Sequence, residues 1–91
     1  MIDPNTTWEV KAFITTPEIT KRSQFFQGHT AEELDQLAEP LLKIADLKYK
    51  EIGSNLFAAA LAKRDQDSFD VEYYCTLAAK AEVDAGIILS E

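Results

Sequence analysis

Seven apolar positions, Ala38, Leu42, Ala45, Tyr49, Ile52, Leu56 and Ala59, follow one another at intervals of four and three residues. That interval is the period of an α-helix with one face committed to packing. Leu34, Leu37, Leu41 and Ile44 lay a second stripe beside the first, so the middle of the chain is apolar over a wide arc. A sandwich or barrel would alternate every second residue and turn often, whereas this chain holds only three glycines and three prolines in 91 residues. Alanine-rich sequence over 58–85 favours helix further. The expected fold class is all-α, a small bundle forming a single domain over 1–91, because a chain this short fills one core.

Capping signals divide the chain into four to five helices, approximately 7–15, 17–27, 31–39, 40–64 and 68–88. Thr15, Thr16, Pro17 and Glu18 combine a capping threonine, a proline suited to the first helical position and an acid for the positive end of the dipole. Gly28 stands where a left-handed cap would close that helix, and Thr30 with Glu33 forms a capping box for the next. Such a tight turn makes the two helices expected neighbours. Pro40 leaves two readings, one long central helix with a kink or a break at Glu39. The register from Tyr49 through Ile52 to Leu56 continues across Gly53 and Ser54, which favours a helix over 40–64.

Asp65, Gln66, Asp67 and Ser68 form the next turn, with Asp67 or Ser68 capping a last helix striped by Val71, Tyr74, Ala78, Ala81, Ala85 and Ile88. Near the start, Trp8, Val10, Ala12 and Ile14 alternate as in a strand, but Thr6 and Glu9 equally spell a capping box. A lone strand lacks a partner in a helical chain, so helix is the expectation there.

Formal charge is −7, all of it beyond residue 28. A surface so acidic repels phosphate, which argues against nucleic acid and anionic lipid as partners. The opening Met-Ile-Asp-Pro-Asn lacks the basic and apolar regions of a signal peptide, and no apolar run approaches the length of a membrane span. With one cysteine, no intramolecular disulfide is possible. These features together lead to the expectation of a soluble cytoplasmic protein.

Chemistry is sparse. His29 is the only histidine and lies in a turn with no orienting carboxylate nearby in sequence; Cys75 is the only thiol. Asp65, Asp67, Asp70 and Glu72 are clustered, yet a calcium loop counted from Asp65 would need ligands and a glycine where Phe69, Thr76 and Asp70 stand. No catalytic residue, cofactor or metal site is expected, and the chain reads as a non-enzyme. Surplus apolar helix surface instead implies a protein-binding adaptor or regulator that self-associates as a homodimer, with Leu42, Tyr49, Ile52 and Leu56 as the candidate seam. Trp8, Phe25, Phe26 and Tyr73 are candidate partner contacts, since aromatic residues dominate interface energetics. Glu32, Glu33 and Asp35 support a second reading, an acidic inhibitor covering the basic site of a nuclease or other nucleic-acid-binding protein.

Overall fold

The computed structural model describes residues 16–89, which form four helices and no strand among them: α1 (Pro17–Gln27), α2 (Ala31–Leu42), α3 (Leu47–Arg64) and α4 (Ser68–Ala85). The expected helix over 7–15, and Trp8 within it, lie outside the described residues. An all-α bundle is what the apolar periodicity implied.

Local chemistry explains each start. Thr16 Oγ1 accepts from the Ile19 amide at 3.2 Å ahead of Pro17. Thr30 and Glu33 close the capping box in both directions, at 3.1 and 2.8 Å. Asp46 caps α3 through the Lys48 amide, and Asp67, rather than Ser68, caps α4 through the Asp70 amide. Each cap satisfies an amide that the first helical turn leaves without a partner.

The ends depart from expectation at Gly28 and at Gly86. Gly28 has φ −76°, a right-handed conformation, because backbone bonds from its amide to Gln24 and Phe25 close α1 without a left-handed residue. The left-handed glycine is Gly86, at φ 70°, which ends α4 at Ala85 instead of residue 88 and lets the Ile87 amide return to Glu82 O. Gln66 takes the same role after α3 at φ 58°, with the Asp67 amide returning to Ala62 O.

The central stripe is the largest correction: no helix runs over 40–64, kinked or otherwise. Pro40 sits in the last turn of α2, where its missing amide forfeits one bond and the helix is about to stop anyway. The amides of Lys43 and Ile44 then fall back to Pro40 O and Leu41 O, and residues 43–46 form a turn. Leu42 and Tyr49 are seven residues apart, two helical periods, so a turn of that length leaves the pattern in phase on both sides. Ala45, in the middle of the stripe, is an exposed turn residue.

Packing follows the order α1, α4, α3, α2. Helix α1 lies along α4, α4 along α3, and α3 along α2. The tight turn over 28–30 therefore does not make α1 and α2 packing partners, since the extended Thr30, at ψ 164°, sends α2 onto the far side of the α3–α4 hairpin. The core gathers Ile19 and Phe26 of α1, Leu34, Ala38 and Leu41 of α2, Ile52, Leu56, Ala59 and Ala60 of α3, and Cys75, Ala78 and Ala79 of α4. Fully burying a leucine, isoleucine or phenylalanine stabilises by roughly 1.5 to 3 kcal/mol, so these side chains set the helix order. Gly53 lets α2 and α3 come close: a Cβ there would stand 3.0 Å from Leu41 Cβ and 3.2 Å from Ala38 O.

Between α1 and α4 the seam is polar. The Arg22 guanidinium clasps the fully buried Glu82 carboxylate through Nε and Nη2, at 3.0 and 2.9 Å. The same Nη2 donates to Leu89 O and the Leu89 amide donates to Glu82 Oε2, both at 2.7 Å, so the ion pair also pins the chain beyond α4. Arg22 stacks on Phe25 and Phe26, 4.4 and 5.1 Å from the ring centres. Ser23 and Thr76 hydroxyls meet at 2.9 Å in the core, and Gln27 donates to Ser23 Oγ.

Candidate interaction surface

Helix α3 buries one side and leaves apolar residues on the other. At 100° per residue, Leu47, Phe57 and Leu61 fall within an arc of about 80°, turned away from Ile52 and Leu56. They are 79, 44 and 46% exposed. Beside them a groove of about 350 Å³ opens between α2 and α3, lined by Asp35, Glu39, Leu42, Lys43 and Phe57. Its walls carry paired charges, Asp35 Oδ2 with Arg64 at 2.6 Å and Glu39 with Lys43 at 3.2 Å. Lys50 adds a cation at the end of α2 by donating to Leu42 O at 2.8 Å. Asp35 Oδ1, by contrast, is buried without a hydrogen-bond partner.

A second exposed aromatic stands at the start of α4. Phe69 is 68% exposed, and Asp65, Asp67, Asp70 and Glu72 surround it in sequence with no base between residues 65 and 79. Partial desolvation and the neighbouring Asp67 carboxylate hold the Asp70 carboxyl above its ordinary range.

The residues singled out by sequence are scattered. Phe26 is fully buried, while Phe25 is half-buried over Arg22 and edge-on to His29. Glu32 is exposed in the first turn of α2, Glu33 is bound to the Thr30 amide, and Asp35 is held by Arg64. Backbone and hydroxyl hydrogen bonds from Thr30 keep the Glu33 carboxyl below its ordinary range. Tyr73 is half-buried and edge-on to Tyr74, with ring centres 5.2 Å apart.

The proposed dimer seam is a correction. Ile52 and Leu56 are fully buried inside the chain, so a second copy cannot reach them; Leu42 and Tyr49 are half-buried. Intrachain helix packing uses that stripe. Among the described residues the large apolar side chains left outside are Ile44, Leu47, Phe57, Leu61, Phe69 and Ile88. The sequence carried a signal for Phe57 and Leu61, since they sit four residues apart and off the stripe of Ile52, Leu56 and Ala59.

The chemically reactive side chains are sequestered. His29 Nδ1 donates to Phe25 O at 2.8 Å, and the ring is largely buried. Burial raises the Cys75 thiol to about 11, so at neutral pH it holds its proton and is a poor nucleophile. Among the described residues, no three histidine, cysteine or acidic side chains are grouped to hold a metal, and no helix is long and apolar enough to cross a membrane.

Comparison with known protein families, curated proteins and solved structures finds no match to this chain. The class defined by fold and surface is a small helical bundle with an apolar face and groove on α3.

Proposed function

We propose that the chain is a non-enzymatic protein-binding module of the cytoplasm, an adaptor or regulator that also associates with itself. The observation that carries this reading is the outward pair Phe57 and Leu61 beside an apolar groove, on a helix whose opposite face is already fully packed. Isolated exposed apolar residues are ordinary, but a contiguous patch with an adjoining groove is the usual footprint of a contact surface. A free, buried Cys75 fits a reducing compartment. The acidic-decoy reading loses support because Glu33 and Asp35 are engaged within the chain.

Affinity capture from the native host, comparing wild type with Phe57→Ser/Leu61→Ser, tests the reading. The expected outcome is a protein retained by wild type and lost from the double variant, with both chains melting cooperatively. Equal retention by both, or none by either, refutes it.

A further inference from the structure

We propose that two copies of this chain pair through the outward face of α3, the two α3 helices lying parallel about a two-fold axis. The inference deepens the binding reading above by naming a partner, and it rests on that reading.

The outward face is three rows wide. Leu47, Ser54 and Leu61 recur every seven residues, so they turn by only about 20° from one to the next and form a single line along the helix. Lys50, Phe57 and Arg64 repeat the same spacing about 60° to one side. That side faces α2, since Lys50 donates to Leu42 O, Arg64 pairs with Asp35 and Phe57 lines the α2/α3 groove. Glu51, Ala58 and Asp65 repeat it again about 40° to the other side, where Glu51 shares a second groove with Leu77 and Asp84 of α4. All three rows are exposed or half-buried.

The flanking rows are opposites. One carries cation, large ring, cation; the other carries anion, methyl, anion, each step in register with its counterpart. A parallel two-fold lays the first row of each copy on the second row of the other. Lys50 then meets Glu51 of the second copy, Phe57 meets Ala58 and Arg64 meets Asp65, and the two-fold repeats every pair. An antiparallel two-fold would instead lay like row on like row, with Lys50 near Arg64 and Glu51 near Asp65. Opposite charges at matched positions fix both orientation and register.

Charge also separates this face from the rest of the surface. Two chains of net charge −7 repel one another, and α2 carries four acids with no base. Across the α3 face the two bases, Lys50 and Arg64, cancel the two acids, Glu51 and Asp65. The rims on either side hold their own ion pairs, Glu39 with Lys43 and Asp84 with Lys80, at 3.2 and 2.7 Å. Lys50 and Arg64 each have donors beyond the one already used within the chain, so both can reach a second carboxylate. A single helix face falls short of the roughly 20 to 30 residues a side of a standard interface, so the dimer belongs to the weak class.

Sedimentation velocity on the full chain at about 0.01 to 1 mM tests this. Wild type is expected to pass from monomer to dimer over that range and to grow no further, because a two-fold contact closes on itself. Glu51→Lys sets a second cation against Lys50, and Lys50→Glu sets a second anion against Glu51. Each is expected to raise the dissociation constant roughly tenfold. An equimolar mixture of the two is expected to regain wild-type strength, since each chain supplies the charge the other lacks. Should Lys50→Glu melt early for want of its bond to Leu42 O, Leu61→Glu and Leu61→Lys, at an exposed position on the central line, take the place of the pair. Either alone is then expected to stay monomeric and the mixture to dimerise. Wild type that stays monomeric at about 1 mM, a species larger than the dimer, or a mixture no tighter than its parts each overturn the proposal. So do single charge variants that dimerise as tightly as wild type or more tightly, the latter being the mark of antiparallel helices. Host-protein capture that depends on Phe57 and Leu61, found beside a strictly monomeric wild type, would leave the broader binding reading standing after such a failure.

Discussion

The two outer helices are fastened in opposite ways. Helix α2 meets α3 through Leu34, Ala38 and Leu41 against Ile52, Gly53 and Leu56, a seam of aliphatic and small residues in which the glycine sets the spacing. Helix α1 meets α4 through Ile19 and Phe26 together with Ser23, Arg22, Thr76 and Glu82. Every buried polar side chain among the described residues, Ser23, His29, Thr76 and Glu82, lies on α1, on α4 or in the turn after α1. An apolar seam supplies burial but tolerates sliding, because aliphatic contacts are non-directional. A buried ion pair adds little net stability over a well-packed apolar substitute, yet it penalises any register that separates its partners. The eleven-residue α1 is the shortest helix, with the least apolar surface to hold it in place, and it is the one given the ion pair.

The comparison breaks most sharply at Arg22. Arg22→Ala leaves the fully buried Glu82 without its cation and should cost about 3 to 5 kcal/mol in urea unfolding. Arg22→Met combined with Glu82→Leu should recover most of that loss while loosening the chain at Leu89. A cost below about 1 kcal/mol for the alanine variant would mean that the ion pair does not hold this seam.

Cys75 probes how dry α4 is between the two seams. Its folded pKa, about 11, lies above the ordinary 9.0, so the folded state keeps its proton where the unfolded state has lost it. Stability from this group is fully present below pH 9 and falls as pH rises from 9 through 11. Roughly 2 to 3 kcal/mol should separate the pH profiles of wild type and Cys75→Ala at the alkaline end, at 1.36 kcal/mol per unit. Parallel profiles over that range would show a thiol open to water.

What the sequence disclosed, and what it withheld, follows the same division. Caps at Thr16, Thr30, Asp46 and Asp67 act within three residues of themselves, and the three of them read as capping signals in the sequence, Thr16, Thr30 and Asp67, were legible as such. Asp46 was hidden because the stripe through Leu42 and Tyr49 stays in phase across the turn it begins to close. Periodicity records which side is apolar but not where the axis reverses. The Arg22–Glu82 pair joins residues sixty positions apart, and nothing local marks it. Phe57 and Leu61 were visible as an i, i+4 pair, but recognising them as outward required knowing that Ile52 and Leu56 are consumed within the chain.

The apolar seam is tested at Gly53. Gly53→Ala places a methyl about 3 Å from the Leu41 side chain and the Ala38 carbonyl, so α2 must move outward. Overpacking of this kind costs about 1 to 3 kcal/mol, and alanine returns up to about 1 kcal/mol of helix propensity. The expected net loss is about 1 to 2 kcal/mol. The same substitution at Gly28, where a Cβ meets nothing closer than 3.5 Å, should leave stability unchanged or slightly raised. If both behave alike, close approach is not what Gly53 provides.

The smallest effect lies in the hinge between the seams, where α3 turns into α4 through Gln66 at φ 58°. A non-glycine residue in the left-handed region carries a strain of about 1 to 2 kcal/mol, whereas glycine adopts it freely. Gln66→Gly removes that strain but adds freedom to the unfolded chain, an opposing cost of roughly 0.5 to 1 kcal/mol. A gain of about 0.5 to 1 kcal/mol should remain, seen as a higher urea midpoint at unchanged slope. One seam lies on α4 and the other on α3, and this turn places α4 against α3, so the gain should appear equally in probes on α1 and on α2. A gain confined to one side would mean that the two halves unfold separately and that α4 does not couple them.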